Sequence, residues 1–325
     1  MSKYLITGGC GFIGSSVVNC LLERNEQVFI IDNLSLGKNH WSAAKRKPTL
    51  LVQDLLDMDA CDRAYRDIRP DVVIHLAAHH FIPYCEENAF EAYALNVQGT
   101  LNTLECARRY GVRRLFAASS GDVYPPNFLP HREVDPVGPV YVYGHTKWMA
   151  EQLCIRYFES KKCFQSLLLG RLFNAAGPRE TNPHMLAEVT RQIAQEGKRE
   201  VEIGNLWPLR DYIDVESMAA VIVDATAAVE GLEILNVGSG NAVEVSEALR
   251  ILTSVLPFKI TFKSVASRQR PNDRPFLCPD TARLHRTIGR AAASFSERTA
   301  RAIFAEYPAL TAAPAEMTAP VAAAR

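Results

Sequence analysis

The strongest constraint on the fold lies near the start of the chain, in Lys3–Gly14. A short apolar run leads there into glycines at Gly8, Gly11 and Gly14, and Ser15–Leu22 then has the apolar spacing of a helix. A strand, a glycine turn and a helix in this order suit the pyrophosphate of a dinucleotide. The first glycine makes the tight turn, the second lets the backbone approach the phosphates, and the third lets the helix pack on the strand, while the helix N-terminus faces the anion. We therefore predict a dinucleotide-binding turn.

An acid follows at the distance that such a turn requires. The second apolar run, Val28–Asp32, ends in Asp32, and Asn33 comes next, with no arginine or lysine directly after it. A carboxylate at this place accepts both hydroxyls of an adenine ribose and repels a 2′-phosphate. The pattern favours NAD over NADP.

Composition excludes several classes of function. Lysine and arginine number 36 and balance 36 aspartates and glutamates, without a basic run, so neither nucleic acid nor an anionic membrane surface is indicated as a partner. We find no apolar run of membrane-spanning length, and a strand that begins within the first residues leaves no room for a signal peptide. The eight cysteines are scattered and form no C-x-x-C pair, which predicts reduced thiols, no metal site and a cytoplasmic protein.

Strand and helix patterns alternate through the first half of the chain, which predicts an α/β fold with a doubly wound parallel sheet. Ligands of such a sheet bind beyond the carboxyl ends of its strands, where Gly8, Asp32, Ala77, Ser120 and Asn174 fall. The further strands are expected at Leu50–Asp54, Asp71–Ala78, Arg113–Ser120 and Gln165–Leu172, and the long helices at about Ala89–Tyr110 and Val142–Glu159.

The second half has a looser pattern, broken by prolines and glycines. We expect residues 1–174 to form the dinucleotide-binding domain, with 211–240 returning to it, and 175–307 to form mainly a smaller substrate-binding lobe. Residues 308–325 are rich in alanine and proline and are expected to be a disordered tail. Predicted elements of this half are a helix near Met185–Glu196, a strand at Ile234–Gly238 and a helix at Val245–Leu256.

A tyrosine and a lysine near the start of one helix are the candidate proton-transfer groups. Tyr143 and Lys147 are four residues apart and share a helical face. An ammonium held near a phenol lowers the phenol pKa, so we expect Tyr143 to act as a general base toward an alcohol. Tyr141 is a rival phenol without a lysine at this spacing. Ser119 and Ser120 end the fifth strand, where a hydroxyl either holds the substrate oxygen or caps the next turn.

These motifs together resemble the extended short-chain dehydrogenase/reductase family, in particular its NAD-dependent nucleotide-sugar epimerases and dehydratases. The resemblance covers about residues 3–290. It rests on Thr7–Gly14, Asp32–Gly37, Leu76–Ala78, Asn96–Thr100, Ser119–Tyr124, Tyr143–Lys147, Arg171–Pro178, Arg210–Val215, Asn236–Gly240 and Arg270–Asp273.

The resemblance implies roles for individual positions. Ser120, Tyr143 and Lys147 match the family's catalytic residues, and the two long helices match those through which relatives form a homodimer. The remaining matches fall into two groups. Those expected to contact NAD are Gly8, Gly11, Phe12, Ile13, Gly14, Asp32, Asn33, Asp54, Leu55, Leu76, Ala77, Ala78, Asn96 and Ser119, together with Tyr143 and Lys147; those expected to contact the nucleotide sugar are His79, Ser120, Asn174, Arg210, Arg270 and Asp273.

The favoured reaction is 4-epimerisation of a nucleotide sugar, a UDP-sugar by preference, through a transient 4-keto sugar. Dehydratases of the family resemble one another in an Asp-Glu or Ser-Glu pair after the catalytic hydroxyl, and this chain has Gly121 and Asp122 there. Because a glycine supplies no acid, we prefer the epimerase, with a 4,6-dehydratase or decarboxylase as the alternative. Asp122 and His79 are candidate participants in proton transfer, and His80 lies in the same loop.

Overall fold

The computed structural model of the chain describes residues 1–38, 41, 46–161, 163–269 and 273–311. Its strands are β1 (Lys3–Thr7), β2 (Gln27–Asp32), β3 (Thr49–Val52), β4 (Val72–His75), β5 (Arg114–Ser120), β6 (Ser166–Leu172), β7 (Asn174–Ala176), β8 (Glu200–Ile203), β9 (Leu209–Asp214), β10 (Gly231–Val237), β11 (Ala242–Glu244), β12 (Thr261–Ser264) and β13 (Phe276–Leu277).

The helices alternate with these strands. They are α1 (Phe12–Glu23), α2 (Met58–Ile68), α3 (Ile82–Glu87), α4 (Ala89–Tyr93), α5 (Thr100–Arg109), α6 (Val142–Lys161), α7 (Met185–Ala194), α8 (Val215–Ala228), α9 (Val245–Thr253), α10 (Ala282–Ile288), α11 (Glu297–Phe304) and α12 (Pro308–Thr311). A π-helical segment occupies Ala94–Gly99, and 3₁₀ turns occupy Gly121–Val123 and Ala266–Arg268.

The main sheet confirms the predicted α/β fold. Within the described residues it has seven strands in the order β10-β6-β5-β4-β1-β2-β3, and each neighbouring pair is parallel. Pairing of Thr7 with His75 and of Ser120 with Leu172 brings the strand carboxyl ends to one edge of the sheet. The loops that leave this edge are therefore close to one another.

Both faces of the main sheet are covered, as a parallel sheet requires. In β1, Ile6 packs on one side with residues of α1 and α8, whereas Leu5 packs on the other with residues of α2, α5 and α6. The two side chains are fully buried and point to opposite faces because successive residues of a strand alternate. Burial on both faces explains why the middle of β1, Tyr4–Ile6, is apolar.

Among the described residues, the second half of the chain forms two smaller sheets, of four and of two strands, and its own core. The central strand β9 pairs with β7, β11 and β13, and β8 pairs with β12. Helices α7, α9 and α11 enclose this core, in which Val201, Leu249 and Phe304 are fully buried. The segment that rejoins the main sheet consists of α8 and β10. Strand β9 pairs in the four-stranded sheet, but its residue Ile213 packs in the core of the main sheet, so the return from 211 stays a prediction.

Two expectations about helices and the tail need correction. The helix expected at Ala89–Tyr110 is interrupted by the π-helical segment, which turns Asn96 into the interior of the domain. The tail expected to be disordered from Pro308 begins instead with α12, because Leu310 packs against the core of the smaller lobe. The rest of that expectation, from 312 onward, lies outside the described residues. In the part of the chain that the structure describes, no helix has the length and apolar character needed to cross a membrane.

Candidate active site

The glycine turn lies between β1 and α1 at the carboxyl edge of the main sheet. A Cβ atom at Gly14 would lie 2.0 Å from the Gly8 carbonyl oxygen, so only glycine allows this close packing of helix on turn. A Cβ at Gly11 would meet only that same oxygen, at 3.4 Å, because the space above it is open cavity. Gly11 is also the N-cap of α1, and a glycine leaves the first N–H groups of the helix without a side-chain acceptor. These features suit a bound diphosphate.

Asp32 ties the end of β2 to this turn. Its Oδ2 accepts the Cys10 N–H at 2.9 Å and its Oδ1 accepts the Leu34 N–H at 2.8 Å. The carboxylate is thereby oriented at the wall of the cavity, next to Asn33. An anion held in this position repels a phosphate on the ribose and accepts ribose hydroxyls.

Most of the predicted site residues line one cleft of about 960 Å³. This volume is at the upper end of the range of roughly 300–1,000 Å³ for ligand sites. Every site residue predicted above lines the cleft except Asn96 and Arg270. Arg270 lies outside the described residues.

The Ser120, Tyr143 and Lys147 side chains are all within the cleft and almost fully buried. Ser120 Oγ is hydrogen-bonded to the Tyr143 phenol and accepts the Asp122 N–H at 3.1 Å. The two roles considered for this serine, substrate contact and turn cap, are therefore compatible, since one hydroxyl serves both neighbours. Tyr141, the rival phenol, does not line the cleft.

The pKa of Tyr143 moves in the direction opposite to the one expected. Burial is the largest influence and raises the pKa, and the hydrogen bond from Ser120 opposes the rise. Burial also lowers the pKa of Lys147 to about 8, with Glu151 acting against this decrease. The expectation was wrong because it counted the charge of the lysine and left out the loss of solvent around the phenol.

Asn96 positions the site from behind the cavity wall. Its side-chain oxygen accepts the His79 N–H at 2.8 Å, and its amide nitrogen donates to the His79 carbonyl at 2.8 Å and to Thr146 Oγ1 at 2.9 Å. Asn96 thus fixes the loop after β4 to the helix that carries Tyr143 and Lys147. The resemblance implied a contact of Asn96 with NAD, which stays a prediction, and the hydrogen bonds described here hold the cavity wall in addition.

A buried charged network that the motifs did not reveal supports the end of β5. Arg171 donates to both carboxylate oxygens of Glu151, at 2.9 and 2.8 Å, and to the Tyr124 hydroxyl at 2.8 Å. Ser119 donates to the same Glu151 carboxylate, so it has a structural partner in addition to its place at the cleft. Glu151 is one helical turn after Lys147 and shares its face, which is the sequence signal that could have indicated it.

The side of the cleft formed by the smaller lobe carries the predicted diphosphate contacts. Arg210 Nη2 donates to Asp273 Oδ1 at 2.8 Å, and Asn205 donates to Oδ2 of the same carboxylate at 3.2 Å. Asn174 donates to the Asp211 carbonyl at 3.1 Å. Asp273 therefore orients Arg210 at the cleft.

A polar cluster that the sequence did not indicate lies across the cleft, between the loops after β4 and β7. The ligand atoms of His80, Glu180 and His184 lie within 4.8 Å of one another, and the two imidazole rings stack with centroids 5.3 Å apart. The amide nitrogen of Asn182 is 3.1 Å from His80 Nε2. Burial raises the pKa of Glu180 to about 7 and lowers the pKa of His80 to about 4.

Asp122, the residue in the position of a dehydratase acid, faces the cleft and a buried arginine. The side chain of Arg274 is 5% exposed, and its Nε lies 3.8 Å from Asp122 Oδ1. Arg274 also donates from Nη2 to the Tyr124 carbonyl. Nothing in the sequence pattern singled out Arg274.

A dinucleotide turn, a strand-end serine and a tyrosine–lysine pair in one cleft define an enzyme of the NAD-dependent class that works on an alcohol. The chain belongs to the NAD dependent epimerase/dehydratase family, whose model matches residues 4–238.

Two similar relatives and one solved structure are named as UDP-glucose 4-epimerases. The chain is 32% identical to a putative UDP-glucose 4-epimerase of Methanocaldococcus jannaschii, over 83% of this chain and 86% of the relative. It is 31% identical to the UDP-glucose 4-epimerase of Erwinia amylovora, over 76% of this chain and 80% of the relative. Among solved structures, the UDP-glucose 4-epimerase of Thermus thermophilus in complex with NAD is similar with a TM-score of 0.83 and 27% identity, over 94% of this chain and 99% of that one.

Proposed function

We propose that this chain is an NAD-dependent nucleotide-sugar 4-epimerase whose substrate is a UDP-hexose. The observation that carries the proposal is the hydrogen-bonded pair of Ser120 and Tyr143 beside Lys147, in the same cleft as the glycine turn. The relatives named UDP-glucose 4-epimerase support the nucleotide and the reaction. A structure of the Thermotoga maritima UDP-glucose 4-epimerase with UDP-glucose, 25% identical and with a TM-score of 0.82, supports the substrate class.

The residues of the cleft suit NAD. The open space above Gly11 and the free first turn of α1 fit a diphosphate, and the Asp32 carboxylate fits an adenine ribose without a 2′-phosphate. Asp54 and Leu55 are at the wall where the adenine is expected. When bound, NAD would supply the acceptor and the donor of the hydride at C4 of the sugar.

Side chains of the protein carry out the proton transfer. Tyr143 is the group that takes the proton of the sugar 4-hydroxyl and returns it, while Ser120 holds the same oxygen by a hydrogen bond. Lys147 is protonated below a pKa of about 8 and offers the positive charge that compensates a phenolate in this buried place. We expect Arg210, which Asp273 orients at the cleft, to bind the diphosphate of the substrate.

A lyase reaction is the second candidate, because Asp122 lines the cleft at the position of a dehydratase acid. Its contact with Arg274 weighs against this reading, because the Asp122 carboxylate is the charge that offsets a buried guanidinium. The deciding experiment is incubation of the NAD-loaded protein with UDP-glucose, UDP-galactose, their N-acetylamino forms and UDP-glucuronic acid. A product of unchanged mass with an inverted C4, read by mass spectrometry and NMR, supports the epimerase. Loss of water or carbon dioxide would overturn it.

Tyr143→Phe should abolish turnover and leave NAD bound, because the variant lacks only the phenolic oxygen that exchanges the proton. Turnover is measured by NMR of the sugar, and bound NAD by chromatography of the denatured protein. Tyr141→Phe is the matched control and should keep its activity. An active Tyr143→Phe variant would show that another group transfers the proton.

We also propose a homodimer formed through α4–α5 and α6. Large apolar side chains on these helices are exposed in the single chain: Phe90 is 87%, Met149 41% and Trp148 38% exposed. Helices α4 and α6 are in contact, so these side chains can join in one surface that a second copy would bury. Phe90→Asp should shift the mass in light scattering from dimer to monomer, whereas Phe128→Asp, on a different exposed loop, should not. A monomeric wild-type protein would refute the dimer.

We propose the cytoplasm as the location of the protein. Cys61, Cys106 and Cys154 are packed as small apolar residues in the core of the main sheet, which suits a reducing compartment. Cell fractionation with an antibody against the chain tests this.

A further inference from the structure

The contact between Asp122 and Arg274 joins two parts of the chain that are far apart in sequence. Asp122 lies in the 3₁₀ turn directly after Ser120, and Arg274 lies directly after Asp273, just before β13. The carboxylate is 16% exposed and the guanidinium 5%, with 3.8 Å between Asp122 Oδ1 and Arg274 Nε. An arginine so deeply buried requires a compensating charge nearby.

Arg274 holds the catalytic turn from both sides. Nη2 donates to the Tyr124 carbonyl, just after the turn, while Nε faces the Asp122 carboxylate within it. Nε and Nη1 have no hydrogen-bond partner among the described residues, so the Asp122 carboxylate is the neighbouring charge that offsets their burial. Loss of either side chain would therefore leave the other charge buried without compensation.

The turn is in direct contact with the catalytic residues. The Asp122 N–H donates to Ser120 Oγ at 3.1 Å. A Cβ atom at Gly144 would lie 2.4 Å from the Asp122 carbonyl oxygen, so the main chain of the turn rests against the start of α6 beside Tyr143. A displacement of Asp122 would therefore disturb both the hydrogen bond that Ser120 Oγ accepts and the contact with the start of α6, which carries Tyr143.

The other end of the contact is anchored in the cluster expected to bind the nucleotide. Asp273, the neighbour of Arg274, accepts from Arg210 and Asn205. A continuous series of contacts therefore links Arg210, through Asp273 and Arg274, to the turn that orients Ser120.

We propose that Asp122 and Arg274 are a pair of positioning residues, which hold the Ser120 hydroxyl in register with Tyr143 and with the nucleotide-binding side of the cleft. This inference rests on the proposed function of the cleft. It gives Asp122 a role that is not proton transfer. The acid position of a dehydratase is then occupied by a structural carboxylate.

The test compares Asp122→Asn and Arg274→Met with the double variant. Hydride transfer is followed as the absorbance of reduced nicotinamide after mixing the NAD-loaded protein with UDP-glucose, and UDP binding is followed by calorimetry. Each single variant should slow hydride transfer about tenfold or more, since small misplacements of reacting groups have effects of this size. The dissociation constant of UDP should change less than about twofold, because Arg210 and Asp273 are retained. The double variant should recover part of the rate, because no unpaired charge is left in the interior.

Arg290→Met is the matched control, since Arg290 pairs with Asp224 at 2.6 Å on a half-exposed surface of α8 and should have wild-type rates. If Asp122→Asn abolishes the reaction while Arg274→Met does not, Asp122 transfers a proton and the proposal is wrong. Equal rates in all variants would also overturn it. If Arg274→Met does not fold, Arg274→Lys keeps the charge without the fork and should show the same loss of rate.

A measurement without turnover separates this proposal from the proposed function. Urea unfolding of the same four proteins gives the coupling between the two side chains, which should be clearly non-additive for residues in contact. If none of the nucleotide sugars causes the wild-type protein to reduce its NAD, the proposed function is refuted. The unfolding measurements would still show whether Asp122 and Arg274 are coupled. Additive unfolding effects would refute the pair whatever the activity.

Discussion

Arg171→Met should be among the most damaging substitutions outside the cleft wall. The guanidinium makes two charge-assisted hydrogen bonds to Glu151, at 2.9 and 2.8 Å, and the two side chains are 4% and 1% exposed. It also lies over the Tyr124 ring, 4.8 Å from its centroid. Methionine fills a similar volume and leaves the Glu151 carboxylate buried without its two guanidinium hydrogen bonds, with the Ser119 hydroxyl as its remaining hydrogen-bond donor.

The expected loss of free energy of unfolding is about 3–5 kcal/mol, the usual cost of removing one partner from a buried ion pair. Arg113→Met provides the matched control, since Arg113 pairs with Asp71 at 3.1 Å with side chains 64% and 36% exposed. An exposed pair of this kind contributes about 0–1 kcal/mol. The two variants make the same chemical change and differ in burial.

Urea unfolding followed by circular dichroism measures both losses, on protein loaded with NAD. The double variant Arg171→Met, Glu151→Met should recover most of the stability, because two apolar groups replace two charges. If Arg171→Met is no more destabilised than Arg113→Met, burial does not set the strength of this pair and the reasoning fails. Arg171→Lys keeps the charge and loses the planar guanidinium. Its loss of free energy of unfolding should lie between those of Arg171→Met and Arg113→Met.

Two further predictions concern the cleft. Glu180→Gln should be more stable than the wild type above pH 7 and should lose this advantage as the pH falls toward 4.5. The reason is that burial raises the pKa of Glu180 to about 7 and penalises its ionised form. Urea midpoints at several pH values measure the difference in stability, and a difference independent of pH would contradict the prediction. Gly14→Ala should lower the NAD content of the purified protein about tenfold or more, because the new Cβ would lie 2.0 Å from the Gly8 carbonyl oxygen and displace the turn, whereas Gly138→Ala, with its nearest atom at 3.5 Å, should keep its NAD.

The parts of the site that were predictable from the sequence are those that local pattern and topology determine. Gly8–Gly14 and Asp32 are recognisable because a strand, a turn and a helix follow one another directly. Ser120, Tyr143 and Asn174 fall together because parallel strands bring their carboxyl ends to one edge. These inferences need neither burial nor side-chain geometry.

The parts that were missed depend on tertiary contacts. Arg171 and Glu151 are on different elements, and Arg274 meets Asp122 from the far half of the chain, so no spacing rule connects either pair. The π-helical turn at Asn96 is set by hydrogen bonds to His79 and Thr146 and not by local propensity. The direction of the Tyr143 pKa was wrong for the same reason, because the removal of solvent around a side chain is not visible in sequence.

That burial bears on how Tyr143 must work. It raises the pKa of the phenol and lowers the pKa of Lys147 to about 8, so each group alone is shifted toward its neutral form. A phenolate that accepts the sugar proton in this place is therefore costly unless a positive charge stays beside it, and Lys147 keeps its charge below pH 8. The base and the ammonium then act as one unit, in which the Ser120 hydroxyl is hydrogen-bonded to the phenol and the charge of Glu151 favours the charged form of Lys147. It follows that substitutions which disturb Ser120 or Glu151 should alter the pH dependence of turnover even when Tyr143 and Lys147 are intact.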